Sequence, residues 1–182
     1  MTDKTENNHE AGPVSIWPTI LIYSFIIAVC NFAYTLVLYA TGLATSTGAG
    51  LLSFVIFIVL LVIGMRKYRS FNNGYMTFGT GVIIGIIISI VASILGSTLN
   101  ALYLAFVDNS ILTAMTDQAM QKLQDTPGIS QQQIDVMMKV YENFLFTPGG
   151  LLVIGIISGV IGGVIISLIL AAILKKAPPI TD

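Results

Sequence analysis

The chain has 182 residues, of which 55% are apolar and only 9% are charged. A soluble domain typically carries about 25% charged residues. The charges are also clustered, because three stretches of 55, 38 and 32 residues contain no Lys, Arg, Asp or Glu. This pattern excludes a soluble enzyme, a nucleic-acid-binding protein and a disordered chain, and it predicts a polytopic membrane protein.

Four apolar runs are long enough to cross a membrane, since a bilayer core of about 30 Å needs about 20 helical residues. We predict spans at residues 18–39, 48–65, 79–106 and 148–174. They form one all-α membrane domain at 17–176, preceded by a polar tail at 1–16 and followed by a short tail at 177–182. The first run is too long, and its preceding tail too acidic, for a cleaved signal peptide, so we expect it to remain as a span.

The positions of the basic residues predict the orientation, because cytoplasmic loops are enriched in Lys and Arg. With both termini in the cytoplasm, six of the eight basic residues lie inside: Lys4, Arg66, Lys67, Arg69, Lys175 and Lys176. The long loop at 107–147 then lies outside and has a net charge of −3. The expected location is the inner membrane, with an extracytoplasmic loop between the third and fourth spans.

Aromatic and basic residues at the inner edges of the spans are typical of anchors at the level of the lipid headgroups. The predicted inner-interface anchors are Trp17, Arg66, Lys67, Arg69, Tyr75, Lys175 and Lys176. The alternative is that the loop at 66–79 is a docking site for a cytoplasmic partner. The lipid bilayer is the partner that this pattern favours.

The outer loop is predicted to be a helical hairpin. Ser110 caps a first helix that ends before Thr126-Pro127-Gly128. Ser130 and Gln133 form a capping box for a second helix, which runs through Leu145 with one apolar face. The hairpin can lie in the membrane interface, cap the bundle or present a methionine-rich groove to a partner.

Small residues recur every four positions in the third and fourth spans, which favours close helix packing in lipid. The predicted packing positions are Gly81, Gly85, Ser89, Ser93, Gly155, Gly159, Gly163 and Ser167. A four-residue step drifts about 40° round the helix. We therefore expect only two or three of these positions to serve one contact, which leaves the others for a second copy of the chain or another membrane partner.

Polar residues inside the spans are few and uncharged. Asn31 and Asn100 are the main ones, and we expect Asn31 to bond across helices. The one cysteine, Cys30, is expected to be buried. Proton relays and ion-coupled transporters depend on ionisable groups within the membrane, and no catalytic motif occurs. We assign no catalytic, cofactor-binding or metal-binding residue, and we expect neither a cofactor nor a nucleic-acid partner.

The segment Lys67-Tyr68-Arg69, Asn73-Gly74-Tyr75 and Thr77-Phe78-Gly79, with the glycine-rich span after it and the closing Leu174-Lys175-Lys176, resembles the bacterial membrane family called domain of unknown function 4199. The resemblance extends from about Trp17 to Lys176. It implies a four-helix bacterial inner-membrane protein and supplies no catalytic residues.

Two functions fit this sequence. The first is a non-enzymatic accessory or structural subunit that acts through helix–helix contacts, either as a homo-oligomer or with an unidentified membrane partner. The second is an oligomeric pore or carrier for a small neutral or apolar solute, lined by Asn31, Asn100 and the row Ser89, Ser93 and Ser97.

Overall fold

The computed structural model describes residues 15–177, and within them the chain is built of helices. Predictions that concern residues 1–14 and 178–182, among them the inner position of Lys4, lie outside the described part. The helices are α1 (Trp17–Ala40), α2 (Thr47–Phe71), α3 (Phe78–Phe106), α4 (Ser110–Gln124), α5 (Gln131–Val140), a π-helical turn (Tyr141–Leu145) and α6 (Pro148–Leu174). The all-α prediction is confirmed.

Four of these helices, α1, α2, α3 and α6, are long and apolar enough to cross a membrane. We call the end of the bundle that holds Trp17, Phe71, Phe78 and Leu174 the basic end, and the opposite end the hairpin end. Successive long helices run in opposite directions between these ends. Lipid-facing surfaces are rich in exposed Leu, Ile, Val and Phe, as a bilayer requires.

Local signals fix the helix starts. Pro18 lies in the first turn of α1, where backbone N–H groups have no acceptor within the helix. Proline lacks this N–H, so no hydrogen bond is lost there. Thr77 and Thr147 cap α3 and α6, because each hydroxyl oxygen accepts the N–H three residues on, from Thr80 and Gly150. The predicted starts of the first, third and fourth spans therefore differ from the observed helices by no more than one residue.

Helix α2 is longer than predicted. Arg66, Lys67 and Arg69 lie in its last turns and not in a loop, since the helix continues to Phe71. Lys and Arg are good helix formers, so the end of the apolar run does not end the helix. The connection to α3 is reduced to residues 72–77, where Asn73 and Gly74 adopt positive φ angles of 52° and 82°.

The main core lies in the basic half of the bundle. It is formed by buried side chains from all four long helices and from the turn before α3, including Ile20, Leu61, Met65, Met76, Ile84, Ile88 and Ala171. On α1, the exposed Cys30 contradicts the expectation that it is buried. It lies one position before Asn31, and a single-residue step turns the helix by about 100°, away from the bundle.

Candidate functional site

Helices α3 and α6 pack against one another through five layers of small residues. Each layer joins one position of α3 to one of α6: Gly81 to Ala171, Gly85 to Ser167, Ser89 to Gly163, Ser93 to Gly159 and Ser97 to Gly155. A β-carbon added at Gly85 would lie 2.7 Å from Ser167 Cβ, so the backbones approach too closely for a second side chain. The five layers extend over about 24 Å.

This seam corrects the prediction that only two or three small residues serve one contact. Drift of the four-residue row would separate two straight helices. Contact in five layers requires the helices to wrap round one another, and a repeat longer than 3.6 residues gives a right-handed wrap. All eight predicted packing positions are used within one chain, so they do not by themselves indicate a second copy.

A cavity of about 430 Å³ lies among α1, α2, α3 and α6 in the half of the bundle nearer the hairpin end. Its size is within the range of pockets that bind small molecules, about 300–1,000 Å³. The seam between α3 and α6 forms one wall. The polar residues of the lining are Asn31, Thr35, Ser53, Ser89, Ser93, Ser97, Asn100 and Ser158.

The two predicted intramembrane asparagines meet at this cavity from different helices. Asn100 Oδ1 accepts the Tyr39 hydroxyl at 2.7 Å, which joins α3 to α1. Tyr39 in turn stacks on Tyr103, with ring centroids 5.5 Å apart. Asn31 does not bond across helices as predicted, because its Nδ2 donates to Ile27 O of its own helix at 3.1 Å. That local bond leaves the Asn31 Oδ1 available to the cavity.

Several polar groups of the lining have no side-chain hydrogen bond within residues 15–177. They are the amide nitrogen of Asn100, the amide oxygen of Asn31 and the hydroxyls of Ser53, Ser97 and Ser158. None of the lining residues is ionisable, and no group of three His, Cys, Asp or Glu able to hold a metal occurs in the described residues. The cavity can therefore offer hydrogen bonds to an uncharged molecule and has no counter-charge for an ion.

Within residues 15–177, the lining of the cavity ends before the core of the basic half. At its deep end lie Ile27, Phe57 and Ser89, and beyond them the core of the basic half closes the space with fully buried side chains such as Ile20, Leu61 and Ile84. The cavity of the single chain is therefore confined to the half of the bundle nearer the hairpin end.

Ser167 lies just beyond the cavity in the same seam. It is completely buried, and its hydroxyl has no hydrogen-bond partner among residues 15–177. Of the three seam serines in α3, two bond within their own helix, Ser89 to Gly85 O at 2.7 Å and Ser93 to Ile90 O at 2.9 Å. Ser167 is in the seam because it fills the space opposite Gly85, which is a packing role.

The predicted anchor residues gather at the basic end, where Arg69 and Lys176 also join separate parts of the bundle. Arg69 donates to Leu174 O at 3.1 Å, which joins α2 to the last turn of α6. Met76 and Lys176 exchange two backbone hydrogen bonds of 2.9 and 2.8 Å, and the Lys176 ammonium lies 5.6 Å from the ring centre of Tyr75. The remaining anchors are exposed: Trp17, Arg66, Lys67 and Lys175.

The hairpin of α4 and α5 has a small core of its own, in which Leu123, Ile134 and Met138 are buried. The predicted capping box is confirmed, since Ser130 and Gln133 bond reciprocally. Asn109 and not Ser110 is the N-cap of α4. Asp108 Oδ1 accepts the Ser110 N–H at 2.9 Å, and this bond lowers the pKa of Asp108.

The second hairpin helix is not one continuous α-helix as predicted. A π-helical turn replaces its last residues at Tyr141–Leu145 and shifts the register of the apolar face. As a result Phe144 is 70% exposed, and the exposed apolar residues Val136 and Val140 lie beside it on the surface of the hairpin. Of the four methionines in the hairpin, Met138 is buried, Met115 and Met120 are half-buried and Met137 is exposed.

Sequence reasoning had placed Asn31, Asn100, Ser89, Ser93 and Ser97 along one lining, and the cavity brings all five together. It missed the residues of α2, chiefly Gly50, Ser53 and Phe54, and Ser158 of α6. Single serines in otherwise apolar helices were the available signal. It also missed that the two asparagines and these serines line one cavity.

The four long apolar helices define a multi-pass membrane protein of the four-helix class. A family model described as "Protein of unknown function (DUF4199)" matches residues 22–176, which is most of the chain. The chain therefore belongs to the DUF4199 family, as the resemblance predicted. No curated protein and no solved structure matches it.

Proposed function

We propose that this chain is a non-enzymatic membrane protein that binds a small uncharged molecule in the cavity among its four long helices. The observation that carries the proposal is the convergence of Asn31 and Asn100, with the free hydroxyls of Ser53, Ser97 and Ser158, on one pocket within the membrane-crossing region. Uncommitted polar groups are costly in lipid unless something bonds to them. A bound neutral molecule with a hydroxyl or amide group supplies those bonds.

The proposed setting is the bacterial inner membrane, with both termini in the cytoplasm and the hairpin outside. The basic end, with five Lys and Arg side chains among the described residues, then faces the cytoplasm and its anionic lipids. In that orientation the cavity lies in the outer half of the bilayer. The binding site belongs to one chain, so this proposal replaces the oligomeric pore, and transport would need a second conformation open at the basic end.

Protection of a cysteine in the cavity tests the proposal. In a Cys30→Ser background, Ser97→Cys places the chain's one thiol in the lining. The purified variant in nanodiscs is alkylated with N-ethylmaleimide, in buffer alone, with glycerol and with 1-monolauroylglycerol. We expect one of these neutral probes to slow alkylation severalfold, because it occupies the same space.

The added substitution Asn100→Leu is expected to abolish this protection, since it removes the amide that the probe would bond. Thr98→Val is the matched control, because Thr98 is exposed and its hydroxyl bonds to Ile94 O outside the cavity. A thiol that does not react, or that reacts equally with and without both probes, would contradict the proposal.

An accessory-subunit role is the second candidate, and the hairpin is the feature that favours it. Val136, Val140 and Phe144 lie four residues apart and are 59%, 45% and 70% exposed. A photo-crosslinking amino acid at Val140 should capture a membrane partner or a second copy in cells. The same group at the exposed Asp135, about 140° round α5 from Val140, is the control, and equal products from both sites would argue against this role.

A further inference from the structure

The side of the cavity between α2 and α6 is its weakest closure. Hydrogen bonds tie α1 to α2 through Tyr34 and Ala49 O (3.1 Å) and α1 to α3 through Tyr39 and Asn100. The seam of small residues joins α3 to α6. Between α2 and α6 the described side chains make one hydrogen bond, from Arg69 to Leu174 O, and it lies at the far, basic end.

Three residues at this gap line the cavity and are also exposed on the outer surface of the bundle. Phe54 of α2 is 44% exposed, and Gly50 and Ser158 are exposed as well. A β-carbon added at Gly162 of α6 would meet no atom within 4 Å, so nothing fills the space in front of it.

The gap is at the depth of the bilayer. Phe54 is seven residues from the start of α2 and Ser158 is ten residues from the start of α6, which places them about 10 and 15 Å from the hairpin end. At that depth a span is surrounded by hydrocarbon and not by water. The open side of the cavity therefore faces lipid tails.

The two walls of the cavity differ in chemistry. The carboxamides of Asn31 and Asn100 are on α1 and α3, away from the gap. Phe54 and Phe57 of α2 and the bare backbone at Gly162 are at or near the gap. A molecule that satisfies both walls has an uncharged hydrogen-bonding head and an apolar tail.

We infer that the ligand is an uncharged amphiphile that enters from the bilayer between α2 and α6, with its head against Asn31 and Asn100 and its tail in the gap. This inference rests on the proposed function, since it assigns a substrate class and an entry route to the same cavity. A hydroxyl-bearing head of the monoacylglycerol type fits these groups. A carboxylate or ammonium head would be buried without a counter-charge.

Two maleimides distinguish the entry route in the Cys30→Ser, Ser97→Cys variant. One carries a dodecyl chain and partitions into lipid, and the other is sulfonated and stays in water. We expect the dodecyl reagent to label the cavity thiol about tenfold faster than the sulfonated one. Ser158→Trp or Gly50→Phe, each of which adds bulk at one side of the gap, should remove that advantage.

Ile157→Trp is the matched control, because Ile157 is exposed on α6 but does not line the cavity. Thermal unfolding of every variant checks that it folds. The two bulky substitutions, Ser158→Trp and Gly50→Phe, lie on different helices, so the test still decides if one of these variants fails to fold.

The ligand class has its own readout. 1-Monolauroylglycerol should protect the thiol from N-ethylmaleimide, whereas glycerol and laurate should not. If glycerol protects the thiol, and the sulfonated reagent labels it at full rate in both the Ser158→Trp and the Gly50→Phe variants, the cavity opens to water. In that case the inference fails while the proposed function stands. If laurate protects as well as the glyceride, the uncharged class is wrong. If neither glycerol nor 1-monolauroylglycerol protects the thiol, the proposed function fails as well.

Discussion

Within the seam between α3 and α6, each layer combines a residue without a side chain and a residue with a small one. Where α3 has glycine, α6 has serine or alanine, and where α6 has glycine, α3 has serine. Membrane helices gain little from hydrophobic burial against one another, so close van der Waals contact stabilises the pair. The seam is therefore most sensitive at its glycines.

Adjacent glycines of α6 give a matched pair of substitutions. Gly163→Ala would place a methyl group 2.6 Å from Ser89 Oγ, and we expect it to lower the free energy of unfolding by about 1–3 kcal/mol through overpacking. Gly162→Ala projects into open space, and the helix propensity of alanine should leave stability equal or raise it by up to about 1 kcal/mol. The difference in free energy of unfolding is measured by unfolding both variants with sodium dodecyl sulfate while circular dichroism monitors the helix content. Equal loss in both would show that the seam does not limit stability.

At the scale of the element, the hairpin depends on local capping more than on the bundle. Its own core is small, and its link to α6 is the π-helical turn. The capping box of Ser130 and Gln133 satisfies donors at the start of α5 that no other group among the described residues reaches.

Ser130→Ala should weaken the start of α5 by about 1 kcal/mol, because it removes the oxygen that accepts the Gln133 N–H. Hydrogen exchange of the intact protein should then be faster at the amides of residues 131–134. Gln132→Ala is the control in the same turn, since Gln132 is exposed and outside the box. Unchanged exchange in Ser130→Ala would mean that other contacts hold this helix.

The sequence patterns that predicted the structure correctly involve residues close together in the chain. The predicted start of the fourth span at residue 148 and the predicted Ser130–Gln133 box both hold, because each depends on a cap that acts within three residues. The extension of α2 to Phe71 was missed, because the apolar run ends at Met65 while the helix-forming Arg66, Lys67 and Arg69 continue the helix. Arg69 also donates to Leu174 O, 105 residues away. The π-helical turn was also missed, since the apolar period of 3.6 residues continues through the sequence where the helix does not.

For the whole molecule, the orientation is the prediction that decides which compartment each end meets. In a Cys30→Ser background, we expect a membrane-impermeant maleimide to label Gln132→Cys in spheroplasts and Ser70→Cys only after lysis. Both positions are exposed, Gln132 on the hairpin and Ser70 at the basic end. The reverse pattern would place both termini outside.

The candidate site was predictable in its residues but not in its position. Asn31, Asn100 and the serine row are conspicuous in apolar helices, so the sequence identifies them. Their convergence depends on how α1 and α2 pack against the α3–α6 pair, and apolar surfaces facing lipid on every side leave that packing without a sequence pattern.

The matched layers of α3 and α6 also limit where insertions and deletions can occur in the chain. In each of the five layers the two residue numbers add to 252, which is the mark of a single antiparallel register. An insertion of one residue in the middle of α3 would rotate half of its small residues by about 100° away from their partners. A shift by four residues would instead oppose Gly85 to Gly163, or Ser89 to Ser167, leaving a hole or a clash. Insertions and deletions are therefore tolerable in the hairpin but not in these two helices, and homologues should keep the spacing from Gly81 to Ser97 equal to that from Gly155 to Ala171.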